Sequence, residues 1–291
     1  MWPFDQIGRL ERATVLDGPA ATIRSTVHKL LSDRRVKDAL HGVWLGHPLH
    51  PALVQVTLSA LLSASMIDAV GGRRRTSTAL ITTGLMLTPP TMAAGWADWS
   101  ESNPDQQRVG LVHAATNVVA ITCYGRALVL RARGRRGRLP SLVGGLVSTV
   151  GATLGGHLAY HQSLGPNHAD RVRDLAPHDW QPLGPLDGIP EGTPVRREAG
   201  DVPVFLLRRG DDVTALADRC PHLAGPLSEG EVVGSDGDTR VVCPWHGSEF
   251  RIDDGCVVHG PAIADVPRFE TRVVNGTVEA RIVESAGAPS L

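Results

Sequence analysis

Apolar positions in the first half of the chain gather into four long runs, about 51–70, 77–97, 111–130 and 141–161, separated by short charged or glycine-rich segments. Each run is near the length a helix needs to cross the hydrocarbon core of a bilayer. Asp68, Pro89-Pro90, Arg126 and many Thr and Gly interrupt them, so the buried helical bundle of a soluble protein is the competing reading. Four successive runs of this length with arginine clusters at their ends favour the membrane. The last run also carries Gly151-Ala152-Thr153-Leu154-Gly155, a spacing that lets helices approach closely where lipid supplies no hydrophobic drive. Upstream, residues 1–46 read as two short amphipathic helices, with Val27, Leu30 and Leu31 among polar positions, suited to the membrane surface or to a lid on the bundle. The N-terminus lacks the apolar stretch and small-residue cleavage site of a secretory signal, and no removable signal peptide is expected.

Beyond residue 162 the pattern changes. Residues 163–178 are polar and rich in helix breakers, as a linker would be. From Trp180 onward short β-type runs take over: VPVFLLRR, DVTALA, TRVVCP, FETRVV and TVEARIV, with turns such as Arg209-Gly210-Asp211-Asp212 and Asn275-Gly276. The expected architecture is a two-domain α+β chain: an amphipathic segment (1–46), a four-helix transmembrane bundle (47–162), a linker (163–178), a small antiparallel β domain (179–284) and a tail (285–291).

Charge adds an orientation. Residues 1–162 hold 17 Lys/Arg against 9 Asp/Glu, whereas residues 163–291 hold 12 against 21. With four spans, the loops after the first and third lie on one side of the membrane, and the β domain lies on the other. Those two loops carry Arg73-Arg74-Arg75 and RARGRRGR (131–138), eight arginines without an acid, and by the positive-inside rule they are cytoplasmic. The acidic middle loop SESNPDQQR agrees, while Arg34, Arg35 and Lys37 ahead of the first span run against it. A multi-pass protein of the cell membrane with an extracytoplasmic β domain is expected, in contact with lipid and with no nucleic-acid partner.

The candidate chemistry lies in two stretches, Cys220-Pro221-His222 and Cys243-Pro244-Trp245-His246-Gly247-Ser248-Glu249-Phe250. Four cysteines are too few for a disulfide scaffold and suit metal ligation. A zinc site of two Cys and two His usually takes both cysteines from one loop, whereas here each loop offers one of each. That division suits two metals, one held by thiolates and the other by imidazoles. A zinc-stabilised interaction domain is the alternative.

CPHLAGPLSEG followed by CPWHGSEF and later Gly260-Pro261-Ala262 resembles a Rieske iron-sulfur domain over about residues 179–284. The resemblance implies a [2Fe-2S] cluster with Cys220 and Cys243 on the buried iron and His222 and His246 on the iron nearer solvent. It also implies that the Gly260-Pro261 segment covers the cluster as a third loop, and that Gly225 and Gly247 form tight turns bringing backbone N–H groups toward the sulfurs. Ser248 matches the family as well. The gap between the loops is slightly long for the family, with the excess at Gly234-Ser235-Asp236-Gly237, which reads as a hairpin tip. Quinol-oxidising members carry a further cysteine in each loop, forming a disulfide, and a tyrosine where this chain has Phe250; both are absent here. Cys256 is expected to be a small core residue.

The first half has a resemblance of its own. Leu45-Gly46-His47-Pro48-Leu49-His50-Pro51, Gly110-Leu111-Val112-His113 with Asn117, and Gly155-Gly156-His157 are similar to elements of a bacterial four-helix membrane family of unassigned function. In a four-span chain His47, His50, His113, His157 and His161 all fall at the same membrane face. They are either interfacial anchors or a second redox or metal centre, such as a haem b or a quinone site. The function expected is a membrane-anchored Rieske protein passing single electrons between a membrane carrier, quinone or haem, and another partner. The alternative is the redox component of a membrane oxygenase or reductase; an oxidoreductase-type carrier need not itself be an enzyme.

Overall fold

A computed structural model describes residues 3–283 apart from Asp236; the expected tail, 285–291, lies outside these residues. The chain divides into two units, one of Met1–His41 with Pro48–Gly165 and the other of Gly42–His47 with Pro166–Leu291.

The first unit is helical. Three short helices, α1 (Pro3–Glu11), α2 (Asp17–Leu30) and α3 (Arg34–His41), precede four long ones, α4 (Leu49–Ala69), α5 (Arg74–Ser100), α6 (Pro104–Ala132) and α7 (Arg138–Gly156). The N-terminal segment thus holds three helices where its polarity pattern suggests two. The extra break falls at Ser32-Asp33, where the Asp33 side chain accepts the Arg35 N–H at 2.8 Å and starts α3. α4 pairs with α5 and α6 with α7, while α5–α6 and α4–α7 contacts close the ring into an up-and-down bundle. By length and composition two helices, Leu49–Ala69 and the continuous Arg138–His161, are apolar enough to cross a membrane. α5 and α6 are longer, at 27 and 29 residues, but less apolar. Arg74 and Arg75 with repeated threonines dilute the one, and Arg108, Arg126 and Arg131 the other.

Small residues set the helix spacing. An added Cβ at Gly84 would strike the Leu61 side chain at 2.6 Å, and one at Gly145 the Ser65 hydroxyl at 2.7 Å. Gly151 and Gly155 serve as seats for the α6 side chains Asn117 and His113, so their spacing admits polar side chains between α6 and α7. At one end of the bundle Asp68 and Arg131, each about 95% buried, form an ion pair. Arg131 also donates to Ser77 at 3.0 Å, and Arg138 Nε donates to the Asp68 carbonyl at 2.8 Å.

The second unit is antiparallel β. A six-stranded sheet runs in the order β1 (Gln181–Pro185), β10 (Thr277–Ile282), β9 (Arg268–Val274), β4 (Asp212–Ala217), β3 (Val202–Arg209), β2 (Val195–Ala199). A four-stranded sheet takes β5 (Glu231–Val233), β6 (Arg240–Val242), β7 (Glu249–Arg251) and β8 (Val257–His259) in sequence order. The five expected strands correspond to β3, β4, β6, β9 and β10, and Asn275-Gly276 turns the β9–β10 hairpin with positive φ at both residues. The strands missed are three-residue pieces, or, like β1 with Pro182 and Pro185, break the propensity rule at a sheet edge. Residues 218–267, holding the whole smaller sheet, leave and rejoin the larger one between the paired strands β4 and β9, where the Ala217 N–H donates to the Pro267 carbonyl at 2.7 Å.

The core of this unit is continuous, from Phe205, Leu207 and Leu216 through Cys220 and Cys243 to Phe250 and Ile252. Much of the segment expected as a linker belongs to it. Ala169, Val172 and Ala176 are buried there, and the His168 N–H donates to the Pro221 carbonyl at 2.9 Å. Three apolar residues on one short helical turn, α8 (Val172–Leu175) with its flanks, outweigh the polar composition around them.

Candidate metal centre

Two loops of the smaller sheet carry the candidate ligands, one between β4 and β5 and the other between β6 and β7. They are built alike. In the first, the Cys220 N–H donates to the Gly225 carbonyl at 2.9 Å and the Ala224 N–H to the Cys220 carbonyl at 2.8 Å. In the second, the Cys243 N–H donates to the Ser248 carbonyl at 2.8 Å and the Gly247 N–H to the Cys243 carbonyl at 3.1 Å. Each loop closes through the residue four after its cysteine, which takes left-handed backbone in both: Ala224 at φ +63° and Gly247 at φ +72°. In the first loop this position belongs to Ala224 and not, as the resemblance implies, to Gly225.

Gly225 has a different task. A Cβ there would lie 3.0 Å from Cys243 Sγ and 3.1 Å from the Trp245 ring, so the first loop passes over the second only because this residue has no side chain. The approach brings Cys220 and Cys243 together, 1% and 3% exposed, and puts the His222 and His246 rings 4.9 Å apart, edge to face and half-buried. A hydrogen bond between the two sulfurs pushes the Cys220 thiol up and holds Cys243 down to about 7, the latter aided by the backbone N–H groups of Trp245 and His246. Backbone donors aimed at a sulfur stabilise thiolate, the form a metal requires.

A third loop follows β8. Pro261 and Ala262 are buried, and the Ala262 N–H donates to Ser248 Oγ at 2.9 Å, tying this loop to the second. Phe250 is fully buried and brings no hydroxyl. No disulfide joins any of the four cysteines, all of which are among the described residues, and Cys256 lies half-buried beside Asp254. Asp218, two residues before Cys220 and 3% exposed, escaped the sequence reading. It accepts the Ser228 N–H at 2.6 Å and the Ser228 hydroxyl at 2.7 Å, bracing both ends of the first loop. An aspartate ahead of a loop that ends in a short polar turn was the only signal.

The histidines of the first half fall into separate settings. His47 lies in the Gly42–His47 segment assigned to the second unit. In the first unit His50 donates from Nδ1 to the Thr91 carbonyl at 2.9 Å, and His113 from Nδ1 to the Gly151 carbonyl at 2.8 Å. His113 Nε2 accepts from Asn117 at 3.0 Å, so both of its nitrogens are committed to the bundle. His157 and His161 are brought together, with rings stacked 4.5 Å apart. One histidine outside the predicted set is notable: His41, 2% exposed, donates from Nδ1 to Asp98 at 2.8 Å, while its buried Nε2 has no hydrogen-bond partner among the described residues.

A family model for the Rieske [2Fe-2S] domain matches residues 179–270, and one described as a predicted membrane protein (DUF2231) matches residues 46–168. The ferredoxin subunit of anthranilate 1,2-dioxygenase from Burkholderia cepacia is 36% identical over 104 residues, covering 36% of this chain and 93% of that protein. Ferredoxin CarAc of Metapseudomonas resinovorans is 33% identical over 101 residues, 34% of this chain and 90% of that one. The iron-sulfur subunit of the cytochrome b6-f complex of Chlorobaculum tepidum is 24% identical over 144 residues, 50% of this chain and 73% of that one. The chain belongs to the Rieske iron-sulfur family, with a domain of the DUF2231 predicted membrane protein family ahead of its Rieske domain. Two buried thiols facing each other and two half-buried imidazoles on paired loops, with a glycine where a Cβ would intrude, are a donor set that fits the [2Fe-2S] cluster such domains bind.

Proposed function

We propose that the protein is a membrane-anchored one-electron carrier, in which Cys220 and Cys243 hold the inner iron of the cluster and His222 and His246 the outer one. The observation that carries this reading is the difference in burial between the two ligand types: the thiols are sealed in the core while the imidazoles reach the surface. When bound, the cluster supplies one reversible electron. The chain's residues do the rest. Gly225 and Ala262 close the site against water, backbone N–H groups of the second loop stabilise the Cys243 sulfur, and the His222 and His246 ring edges offer a short path to a docked partner.

The anchor is the helical unit. All four long helices turn large apolar side chains outward, including Val56 and Met66 on α4, Met86 on α5, Val118, Val119 and Val129 on α6, and Leu142, Leu146 and Val150 on α7. A water-facing bundle places polar residues there, whereas one surrounded by lipid does not. On this basis all four cross the membrane, and by the positive-inside rule the arginine-rich loops are cytoplasmic and the Rieske domain extracytoplasmic.

For the partners, the absence of a loop disulfide and the buried Phe250 favour a ferredoxin-like role, delivering electrons to an oxygenase or reductase, over quinol oxidation. A second reading has one specific observation behind it. His41, with Nδ1 held by Asp98 and a buried Nε2 open to accept, is the kind of group to which a hydroquinone hydroxyl donates its proton. The decisive experiment is low-temperature EPR of the reduced protein in nanodiscs. The expected result is a Rieske signal that disappears in His222→Ala and in His246→Ala; a normal signal in either variant refutes the ligand assignment. Reduction of the cluster by a quinol analogue, lost in His41→Ala, would establish the membrane carrier as quinone.

A further inference from the structure

His157 and His161 lie on a single turn of π-helix, His157–His161, which continues α7; it closes where the Gln162 N–H donates to the His157 carbonyl at 3.0 Å, a bond spanning five residues. Such turns are rare and occur often at functional sites. The widened turn sets residues four apart almost above one another, which is why the two imidazoles stack. Facing them is Glu11, 146 residues earlier in the chain, whose carboxylate accepts from His157 Nε2 at 2.6 Å. Its position is fixed twice. Ile7 and Leu10 of α1 pack against Val109, Val112, Leu154 and Leu158, and Arg108 donates to the Glu11 carbonyl at 2.6 Å.

We propose that Glu11, His157 and His161 form a binding site for one divalent first-row transition metal ion, separate from the iron-sulfur ligands. One donor atom from each of the three residues lies within 4.8 Å of the other two. An ion about 2.0–2.2 Å from each donor needs them roughly 3–3.5 Å apart. The Glu11–His157 pair must open slightly and His161 must close. His161 is exposed, so that closure is a side-chain rotation without backbone movement. On binding, the ion takes the place of the hydrogen that His157 Nε2 now shares with Glu11. Two imidazoles with one carboxylate select zinc, iron(II) or cobalt(II) over calcium and magnesium, which prefer all-oxygen sites. Three protein donors also leave a coordination position open to water or a small exogenous ligand.

The alternative role for Glu11–His157 is a clamp that fastens α1 to the bundle, and the two roles separate experimentally. Tag-free full-length protein in nanodiscs, with its iron-sulfur cluster confirmed intact by EPR, is titrated with zinc by calorimetry and analysed for retained zinc after dialysis. Wild type is expected to bind one zinc per chain beyond the cluster's iron and to melt at a higher temperature with zinc present. Glu11→Gln, which keeps the size and a hydrogen bond, and His161→Ala, at an exposed position, should each weaken binding at least about 100-fold, since losing even an outer-shell partner costs about 10–100-fold. Cobalt(II) and iron(II) loaded separately would show which ion the site prefers. If wild type retains no zinc, or if both variants bind it as tightly as wild type, the proposal is overturned. A lower melting temperature in Glu11→Gln with no effect of zinc on any form would leave the clamp as the whole role.

Discussion

Ala224 and Gly247 occupy the same position in two equivalent loops, each donating its N–H to the carbonyl of the cysteine four residues before it, and each in left-handed backbone. Only one is glycine. An alanine held there costs about 1–2 kcal/mol of steric strain, partly offset because glycine loses more freedom on folding. Ala224→Gly is therefore expected to be neutral or stabilising by up to about 1 kcal/mol, and Gly247→Ala destabilising by about 1 kcal/mol. Melting curves followed by cluster absorbance check the pair; equal losses in both variants would contradict the equivalence of the loops.

Gly225→Ala should damage the centre and spare the fold. The new methyl group meets Cys243 Sγ and the Trp245 ring at about 3 Å, and both belong to the second ligand loop. Overpacking of this kind costs about 1–3 kcal/mol. The expected outcome is a shifted EPR line shape and faster cluster loss, with unchanged far-ultraviolet circular dichroism.

The midpoint potential should fall in the lower half of the range of about −150 to +300 mV known for Rieske centres. The absence of a loop disulfide, the hydroxyl missing at Phe250 and the acidic second half of the chain all disfavour the reduced form. Ser248 acts in the other direction: its oxygen accepts from Ala262, so its hydroxyl keeps a hydrogen that can donate to a cluster sulfur. Ser248→Ala is expected to lower the potential by roughly 40 mV, the one-electron equivalent of a hydrogen bond worth about 1 kcal/mol. Protein-film voltammetry would show it, and a wild-type midpoint above about +200 mV would return quinol oxidation to favour.

Arg131→Ala should be among the most damaging changes in the helical unit. It leaves Asp68 charged and buried without its partner, at a cost of about 3–5 kcal/mol, whereas replacing both by Leu and Met should recover much of the loss. Thermal stability in detergent tests this. The Rieske EPR signal should be unaffected in either variant.

The chemistry was legible in the sequence because its determinants are local. Two short motifs contain all four candidate donors, and the turn at Asn275-Gly276 follows from its own two residues. Backbone state was less legible: nothing in CPHLAG distinguishes Ala224 from Gly225 as the left-handed residue, because the choice depends on Cys243 and Trp245 lying beneath. Long-range pairs were not legible at all. Glu11 meets His157, and Asp68 meets Arg131, only after the helices have packed. Composition misled at residues 166–178, where three apolar contacts outweigh a polar average.

The metal-binding part of the second unit departs from the larger sheet after Ala217 and returns at Pro267, two residues one hydrogen bond apart. A segment whose ends already touch can change in its exposed turns without moving the strands it leaves, provided the buried face it shares with them is kept. The base sheet therefore tolerates variation in this segment, and the turn around Gly234 and Gly237 is a place where length can change at little cost. Recombination between iron-sulfur proteins could exchange such a cartridge where the buried faces match, carrying its electrochemistry to a new membrane host.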